Sequence, residues 1–195
     1  MENTEMKREM RNFVEAQEEI RVCVHGGLFH ADDALCIGML KAVFPDKKIS
    51  VQRSRDDKVW ESCNLILDVG GKQALEDGRL WLDHHQPEEQ WAFKPEQENG
   101  VKPAACTLLA EVLFCEEQDY LVALKKEFLD GVSAQDNGQK LDGVSDSMLK
   151  AVHYLNPCWD EDTEEAEALF EEAVGISRRV FERVDHSIRS RQAAA

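Results

Sequence analysis

Imidazole and carboxylate side chains recur in this chain directly after short apolar segments, beside glycines and turns. The histidines in such places are His25, His30, His84 and His85, and the aspartates are Asp32, Asp68, Asp83 and Asp136. Aspartates packed together without cations would repel one another, and their pKa values would rise. Divalent metal ions relieve that repulsion, and a mixture of carboxylate and neutral imidazole without thiolate suits manganese. The residue types therefore predict a metal centre.

Six of these side chains are more than one tetrahedral ion needs, so the sequence predicts two ions. The candidate ligands are His25, His30, Asp32, Asp68, His84 and Asp136, with Asp68 as a bridge. Manganese is the expected ion, and magnesium and cobalt are alternatives. Three ligand carboxylates against two divalent ions leave the pocket at about +1, a charge that would attract a phosphate. Two neighbouring metals activate water and stabilise an in-line phosphoryl displacement.

Each candidate residue also has an ordinary structural explanation. His25 alone would be a core histidine, Asp32 suits the first turn of a helix, and Asp68 and Asp136 would be turn formers. The interpretation as a metal centre depends on their coincidence at predicted strand ends. The remaining histidines lack such neighbours and are assigned to the structure or the surface; they are His153 and His186.

The elements that must position these residues alternate between strand and helix. Strands are predicted at residues 20–25, 48–53, 64–69 and 79–83. Helices are predicted at residues 31–44, 103–130 with a break near 118–119, and 145–155, and loops at residues 87–101 and 131–143. This alternation predicts an α/β fold with a mostly parallel sheet flanked by helices. The carboxyl ends of parallel strands line one crevice, where the candidate residues would meet.

Three segments are predicted along the chain: a polar N-terminal segment at 1–19 with weak helical spacing, a catalytic domain at 20–160, and a long C-terminal helix within 161–195. The last helix carries an apolar stripe of Phe170, Val174, Phe181, Val184 and Ile188. The stripe indicates a helix packed on its own domain. The alternative is the seam of a homodimer, since the spacing approximates a heptad.

Composition excludes several classes of protein. The 195 residues carry a formal net charge of −16, which argues against a globally basic surface for duplex nucleic acid. The 43% of hydrophobic residues argues against disorder, and no apolar run is long enough to span a membrane. No secretory signal is readable. The six cysteines form no C-x-x-C pair, so we expect buried thiols, no cysteine zinc site and a cytoplasmic location.

Five motifs in this order resemble the DHH phosphoesterase superfamily, and among its branches the MYG exonuclease family. The motifs begin at His25, Arg53, Asp68, Asp83 and Asp136; they read HGGLFHADDAL, RSRD, DVGG, DHHQ and DNG. The resemblance covers roughly residues 20 to 140. Two features depart from the family pattern. Ser133 stands where the branch usually has another aspartate, and relatives continue beyond the end of this chain into a second domain that helps bind substrate.

The resemblance implies a manganese-dependent phosphoesterase and a role for each motif. His25, His30 and Asp32 would be ligands from the first motif, Asp68 the bridging ligand, and His84 and Asp136 further ligands. Asp83 would orient His84, and His85 would contact the scissile phosphate or the leaving group. Arg53 and Arg55 would bind a phosphate; surface charge after a strand is the alternative.

The function expected from these observations is two-metal phosphoester hydrolysis, with a nuclease acting on RNA or DNA ends or on short oligonucleotides as the first hypothesis. The acidic composition favours a short or single-stranded nucleic acid as the phosphorylated substrate. One alternative is a hydrolase of small phosphate compounds, such as a dinucleotide, a cyclic dinucleotide or pyrophosphate. Another is a catalytically silent binding module that keeps its metal for stability.

Overall fold

A five-stranded sheet forms the centre of the protein in the computed structural model, which describes residues 2–95, 100–140, 147–157 and 163–194. The strands are β1 (Glu19–Val24), β2 (Lys48–Arg53), β3 (Leu65–Leu67), β4 (Gln73–Glu76) and β5 (Arg79–Leu82). Their order across the sheet is β2-β1-β3-β5-β4. All neighbouring pairs are parallel except β4 and β5. The predicted α/β fold with a mostly parallel sheet is confirmed.

Helices flank this sheet. They are α1 (Glu2–Ala16), α2 (Ala31–Val43), α3 (Asp57–Trp60), α4 (Ala105–Leu113), α5 (Gln118–Leu124), α6 (Asp130–Asp136), α7 (Ser147–His153) and α8 (Glu164–Ala193). A 3₁₀ turn at Glu88–Gln90 and a π-helical segment at Lys125–Leu129 complete the elements of the described residues. Among the described helices, none combines the length and the apolar character that crossing a membrane requires.

The central strands are buried on both faces, which explains why they are nearly continuous apolar runs. Alternate side chains face opposite layers, because the side-chain period of a strand is two residues. One face packs against the main helical core; its strand residues are Val22, Val24, Leu65, Leu67, Leu80 and Leu82. The other face forms a small cluster with Val59 and Trp60 around α3; its strand residues are Cys23, Ile66 and Trp81. The described cysteines are free and buried, and Cys158 lies outside the described residues.

Two elements of the structure, β4 and α6, were not predicted as regular structure. Strand β4 was missed, although Asp77 and Gly78 have positive φ values of 51° and 69° and form a two-residue hairpin turn that pairs Glu76 with Arg79. The predicted loop at 131–143 was wrong over its first part, because α6 continues the preceding helical segment to Asp136. Residues 141–146 of these predictions lie outside the described residues. The helix break falls between Leu113 and Gln118, slightly before its predicted place.

The long helix α8 packs along α2 rather than standing apart. Its apolar stripe is largely buried in the main core, with Phe170, Val174, Phe181 and Ile188 at most 3% exposed. The interpretation of a helix packed on its own domain is therefore confirmed, and this stripe is not a free dimer seam. The N-terminal segment also contributes to the core, through Met10 and Val14 of α1.

Candidate metal centre

Asp68 lies at the carboxyl end of β3, between the ends of β1 and β5. Its φ of 56° places it in the left-handed region, which is uncommon for a residue other than glycine and is frequent at functional sites. Its N–H donates to the carbonyl of Leu82 at 3.1 Å, so the turn is held to the neighbouring strand. One carboxylate oxygen lies 3.5 Å from Nε2 of His25, and the other lies 3.0 Å from Nε2 of His84. Asp68 therefore stands between two histidines from different strands.

The first cluster around Asp68 comes from the segment that joins β1 to α2. It consists of His25, His30, Asp33 and Asp68, whose ligand atoms lie within 4.8 Å of one another. Nε2 of His25 is 2.9 Å from Oδ2 of Asp33. Nδ1 of His25 faces the carbonyl of Gly26 at 3.1 Å, and donation to that carbonyl leaves Nε2 free to act as a ligand.

The second cluster contains Asp32, Asp68, His84 and Asp136, again with ligand atoms within 4.8 Å of one another. Nε2 of His84 is 3.1 Å from Oδ2 of Asp136, and the other oxygen of Asp136 lies 3.2 Å from Nδ1 of His30. These two clusters share Asp68 and meet again at Asp136, and a third group joins Asp68 and His84 to His85. All six ligands predicted from the sequence belong to one cluster or the other.

The donor atoms of these clusters fit metal ions, because several are buried without a well-aligned hydrogen bond, even where a carboxylate oxygen and an imidazole nitrogen lie 2.9–3.0 Å apart. Within the described chain, these atoms are His25 Nε2, Asp33 Oδ1, Asp68 Oδ1 and His84 Nε2. Buried polar groups are normally hydrogen-bonded, so four orphaned atoms at one place require an explanation. A cation between carboxylate oxygens and imidazole nitrogens supplies the missing partner for each, and this donor set suits a hard-to-borderline divalent ion.

The pKa values of the clustered histidines and aspartates also indicate a site for cations. Burial opposes the charged form of His25 and His84, but the adjacent carboxylates outweigh it and raise the two pKa values to about 9 and about 10. Burial, reinforced by neighbouring carboxylates, raises the pKa of Asp32 and of Asp68. Protonated histidines thus occupy the place of cations among crowded acids.

Asp32 also connects the centre to helix α4. Its two oxygens accept hydrogen bonds from the N–H groups of Ala105 and Cys106, at 3.1 and 2.8 Å. The positive end of the helix dipole therefore faces a fully buried carboxylate. Nearby, the hydroxyl groups of Ser133 and Thr107 lie 2.8 Å apart, so Ser133 links α6 to α4.

Asp83 bonds to His85 rather than to His84, which differs from the expectation. One of its oxygens lies 2.6 Å from Nδ1 of His85 and also accepts the N–H of His85 at 3.1 Å. The other accepts the N–H of Gly71 at 2.6 Å. Burial opposes ionisation of Asp83, but these hydrogen bonds prevail and lower its pKa. Asp83 consequently fixes the imidazole of His85, which is 62% exposed, at the rim of the centre.

The two arginines of the second motif have different surroundings. The guanidinium of Arg53 is fully buried, where it pairs with Glu167 at 2.9 Å, donates to the carbonyl of Gly27 and lies over the rings of Phe29 and Phe170. The guanidinium of Arg53 thus faces the protein interior, which disfavours its predicted role in binding a phosphate. Arg55 is exposed, and its Nη2 lies 3.4 Å from Nδ1 of His25.

Two clefts open beside the clusters. A cleft of about 200 Å³ is lined by His30, Asp32, Gln135, Asp136 and His153. A larger cleft of about 420 Å³ is lined by His84, His85, Trp91, Lys102, Asp136 and Asn137. Both are large enough for part of a ligand, and the second falls in the usual size range of small-molecule sites.

The sequence reasoning missed three residues at this site. Asp33 belongs to the first cluster, and its adjacency to Asp32 was the only signal for it. His153 lines the smaller cleft, although it had been assigned to the structure or the surface. Lys102 lines the larger cleft from a segment that carries no motif.

The fold and the site define an α/β protein with a histidine–aspartate centre at the carboxyl ends of its parallel strands. The chain belongs to the MYG1_exonuc family, described as uncharacterised protein family UPF0160, whose sequence pattern matches residues 21–195.

Several curated proteins of this family are similar to the chain. The MYG1 protein C694.04c of Schizosaccharomyces pombe is 33% identical over 132 residues, which are 61% of this chain and 40% of that protein. The MYG1 exonuclease of Homo sapiens is 28% identical over 185 residues, 83% of this chain and 49% of that protein. The MYG1 protein of Dictyostelium discoideum is 27% identical over 191 residues, 86% and 57% of the two chains. The chain thus spans about half the length of the curated relatives it matches. No solved structure matches it.

Proposed function

We propose that the chain is the metal-bearing part of a phosphoester hydrolase of the DHH type, which acts on nucleic acid ends or short oligonucleotides with manganese. The observation that carries this proposal is the position of Asp68, one carboxylate shared by two clusters of ligand atoms. A shared carboxylate is the arrangement by which a protein holds two ions a few ångströms apart. The name of the human relative, MYG1 exonuclease, supports a nuclease over other hydrolases.

The chemistry divides between the metal site and its rim. Two divalent ions in the clusters would supply a water that is nucleophilic near neutral pH and would stabilise the developing charge of the displacement. His85, held at Nδ1 by Asp83, directs Nε2 toward a phosphate or leaving-group oxygen. The guanidinium of Arg55 binds a non-bridging phosphate oxygen beside His25.

A short or single-stranded substrate fits the charges of the molecule better than a long duplex. The chain carries a net charge of −16, so a long polyanion would be repelled over most of the surface. The two clefts flank the clusters and would each take one side of a bond being cut.

A panel of substrates tests the proposal directly. The protein is supplemented with manganese and given labelled single-stranded RNA, single-stranded DNA, duplex DNA, the dinucleotide pApA, a cyclic dinucleotide and pyrophosphate. We expect stepwise release of mononucleotides from the single strands, loss of turnover in EDTA, and recovery with manganese rather than calcium. Asp68→Asn serves as the inactive control, because it removes the charge shared by both clusters.

Other outcomes would redirect the assignment. Turnover of pApA or of the other small compounds alone would make the protein a hydrolase of small phosphates. Tight manganese binding without turnover of any phosphoester would contradict the enzymatic proposal and favour a binding module.

A further inference from the structure

The net charge expected for the metal-loaded centre falls from about +1 to about zero when Asp33 is counted among the ligands. The clusters then hold four carboxylates, from Asp32, Asp33, Asp68 and Asp136, which balance two divalent ions. The centre would therefore lack the net positive charge that three carboxylates would leave. A phosphodiester approaching an acidic protein needs cationic side chains near the centre, and Arg55 is one such group.

Lys102 is a second such cation, and it stands in the larger cleft. Its side chain lines the same cavity of about 420 Å³ as His85 and Asp136. The residue is exposed, and no carboxylate within the described ranges forms an ion pair with its ammonium group. The one glutamate that lines this cleft, Glu88, is engaged by Lys94 at 3.5 Å. The ammonium of Lys102 is thus free to bind an anion.

The backbone around Lys102 is fixed to the end of α6, next to the candidate ligand Asp136. The N–H of Lys102 donates to Oε1 of Gln139 at 2.8 Å. Its carbonyl accepts from Nδ2 of Asn137 at 3.2 Å, and that amide also donates to the carbonyl of Pro103 at 3.1 Å. The base of the lysine side chain is consequently held at a fixed place relative to the clusters, which lowers the entropic cost of binding an anion there.

An aromatic ring lines the same cleft. The indole N–H of Trp91 donates to the carbonyl of Gln86 at 3.0 Å, which ties the ring to the turn that follows His84 and His85. Aromatic rings beside a cationic group are the usual means by which proteins bind unpaired nucleotides, because every base offers a face for stacking.

We propose that this cleft is a nucleotide subsite, in which Lys102 binds the phosphate next to the scissile one and Trp91 contacts its base. The inference rests on the proposed phosphoester hydrolysis for its place in the reaction, but the binding itself does not require turnover. The ligand class is a nucleoside monophosphate unit, either at the end of a single strand or in a short oligonucleotide.

Binding to metal-free protein tests the subsite apart from catalysis. In EDTA, adenosine 5′-monophosphate and ribose 5-phosphate are titrated into the native chain, and the dissociation constants are measured by NMR. We expect Lys102→Ala to weaken both ligands about tenfold, since both carry the phosphate. Trp91→Leu should weaken adenosine 5′-monophosphate by about tenfold and leave ribose 5-phosphate unchanged, since only the former has a base. Lys126→Ala, at an exposed lysine of the π-helical segment, is the matched control and should change neither.

Kinetics with the manganese-loaded protein then place the subsite in the reaction. Lys102→Ala should raise KM for a single-stranded oligonucleotide about tenfold with little change in kcat. Lys102→Arg, which keeps the positive charge, should have a KM close to the native value. Hydrolysis of bis(4-nitrophenyl) phosphate, which has no second phosphate, and manganese content should stay at native values.

Three results would overturn the inference. The first is no binding of adenosine 5′-monophosphate to the native chain at millimolar concentration, and the second is binding by Lys102→Ala that equals native binding. The third is a rise in KM for bis(4-nitrophenyl) phosphate in Lys102→Ala as large as the rise for the oligonucleotide. If the native chain hydrolyses nothing yet binds adenosine 5′-monophosphate through Lys102, the proposed function fails and the subsite stands. Melting curves identify any variant that does not fold.

Discussion

At the scale of single residues, Asp68 and Asp33 differ in the number of ligand clusters to which they belong. Asp68 belongs to both clusters, whereas Asp33 belongs only to the first, with His25 and His30. Substitution by asparagine removes a charge and one good ligand oxygen but keeps the shape of the side chain. The two variants should therefore differ in how many ions they lose.

We expect Asp68→Asn to bind fewer than about one manganese ion per chain and Asp33→Asn to keep about one of two, because only Asp68 serves both clusters. Elemental analysis after dialysis against manganese measures the content. Asp46→Asn, at an exposed aspartate outside the clusters, is the control and should match the native chain. Equal manganese content in all three variants would contradict the assignment of ligands.

Asp83 acts through His85, and its removal should separate catalysis from metal binding. Asp83→Asn leaves Nδ1 of His85 without its carboxylate partner, so kcat should fall about 10- to 100-fold, the usual effect of losing such a partner. Manganese content should not change. The double variant with His85→Ala should be no slower than His85→Ala alone, since both changes remove the same function. Additive losses in steady-state assays would show that Asp83 acts elsewhere.

The residue scale also shows where sequence reasoning ends. His25, Asp68 and His84 were predictable because each follows a strand, and parallel strands bring their ends together. The burial of Arg53 was not predictable, because its partners Phe170 and Glu167 lie more than a hundred residues away in the sequence. Asp33 was hidden because an acidic residue in the first turn of a helix is common for electrostatic reasons alone.

At the scale of elements, the packing of α8 on α2 depends on one glycine. A Cβ atom at Gly38 would lie 2.7 Å from the backbone nitrogen of Arg178, and backbone cannot turn away as a flexible side chain can. Helices that approach this closely need a small residue at the crossing. Gly175, by contrast, lies in α8 itself. A Cβ atom built at Gly175 would have no non-neighbouring atom within 4 Å.

Gly38→Ala and Gly175→Ala should therefore have opposite effects on the free energy of unfolding. We expect Gly38→Ala to destabilise the protein by about 1–3 kcal/mol through overpacking. Gly175→Ala should stabilise it by up to about 1 kcal/mol, because alanine favours a helix over glycine. Urea denaturation followed by circular dichroism measures both. A neutral Gly38→Ala would mean that α8 can shift on α2.

Local signals explain which elements were predictable. Strands β1 and β3 are apolar runs that end at glycines or a turn, so their type and place followed from composition. Helix α6 was mistaken for a loop because it contains Gly131 and ends at the Asp136-Asn137-Gly138 turn. Burial of Val132 and Ala134 in the core outweighs these local preferences. Strand β4 is an edge strand with little apolar pattern, so only its Asp-Gly turn indicated it.

At the scale of the whole molecule, the candidate ligands join segments that are distant along the chain. They come from the end of β1, the start of α2, the turns after β3 and β5, and the end of α6. Metal binding should accordingly stabilise the folded chain as a unit, since the unfolded chain cannot assemble these ligands. The buried carboxylates of the metal-free protein add a repulsion that the ions would remove.

Manganese at a hundred times its dissociation constant should stabilise the fold by about 2.7 kcal/mol per site, which corresponds to an increase in Tm of about 5–10 °C for a chain of this size. Differential scanning fluorimetry in EDTA and in manganese measures the increase. Asp68→Asn should lose the manganese-dependent increase, and Asp46→Asn should retain it, because only the former touches both clusters. A native chain whose Tm is the same in EDTA and in saturating manganese would show that the ligands do not converge on ions in solution.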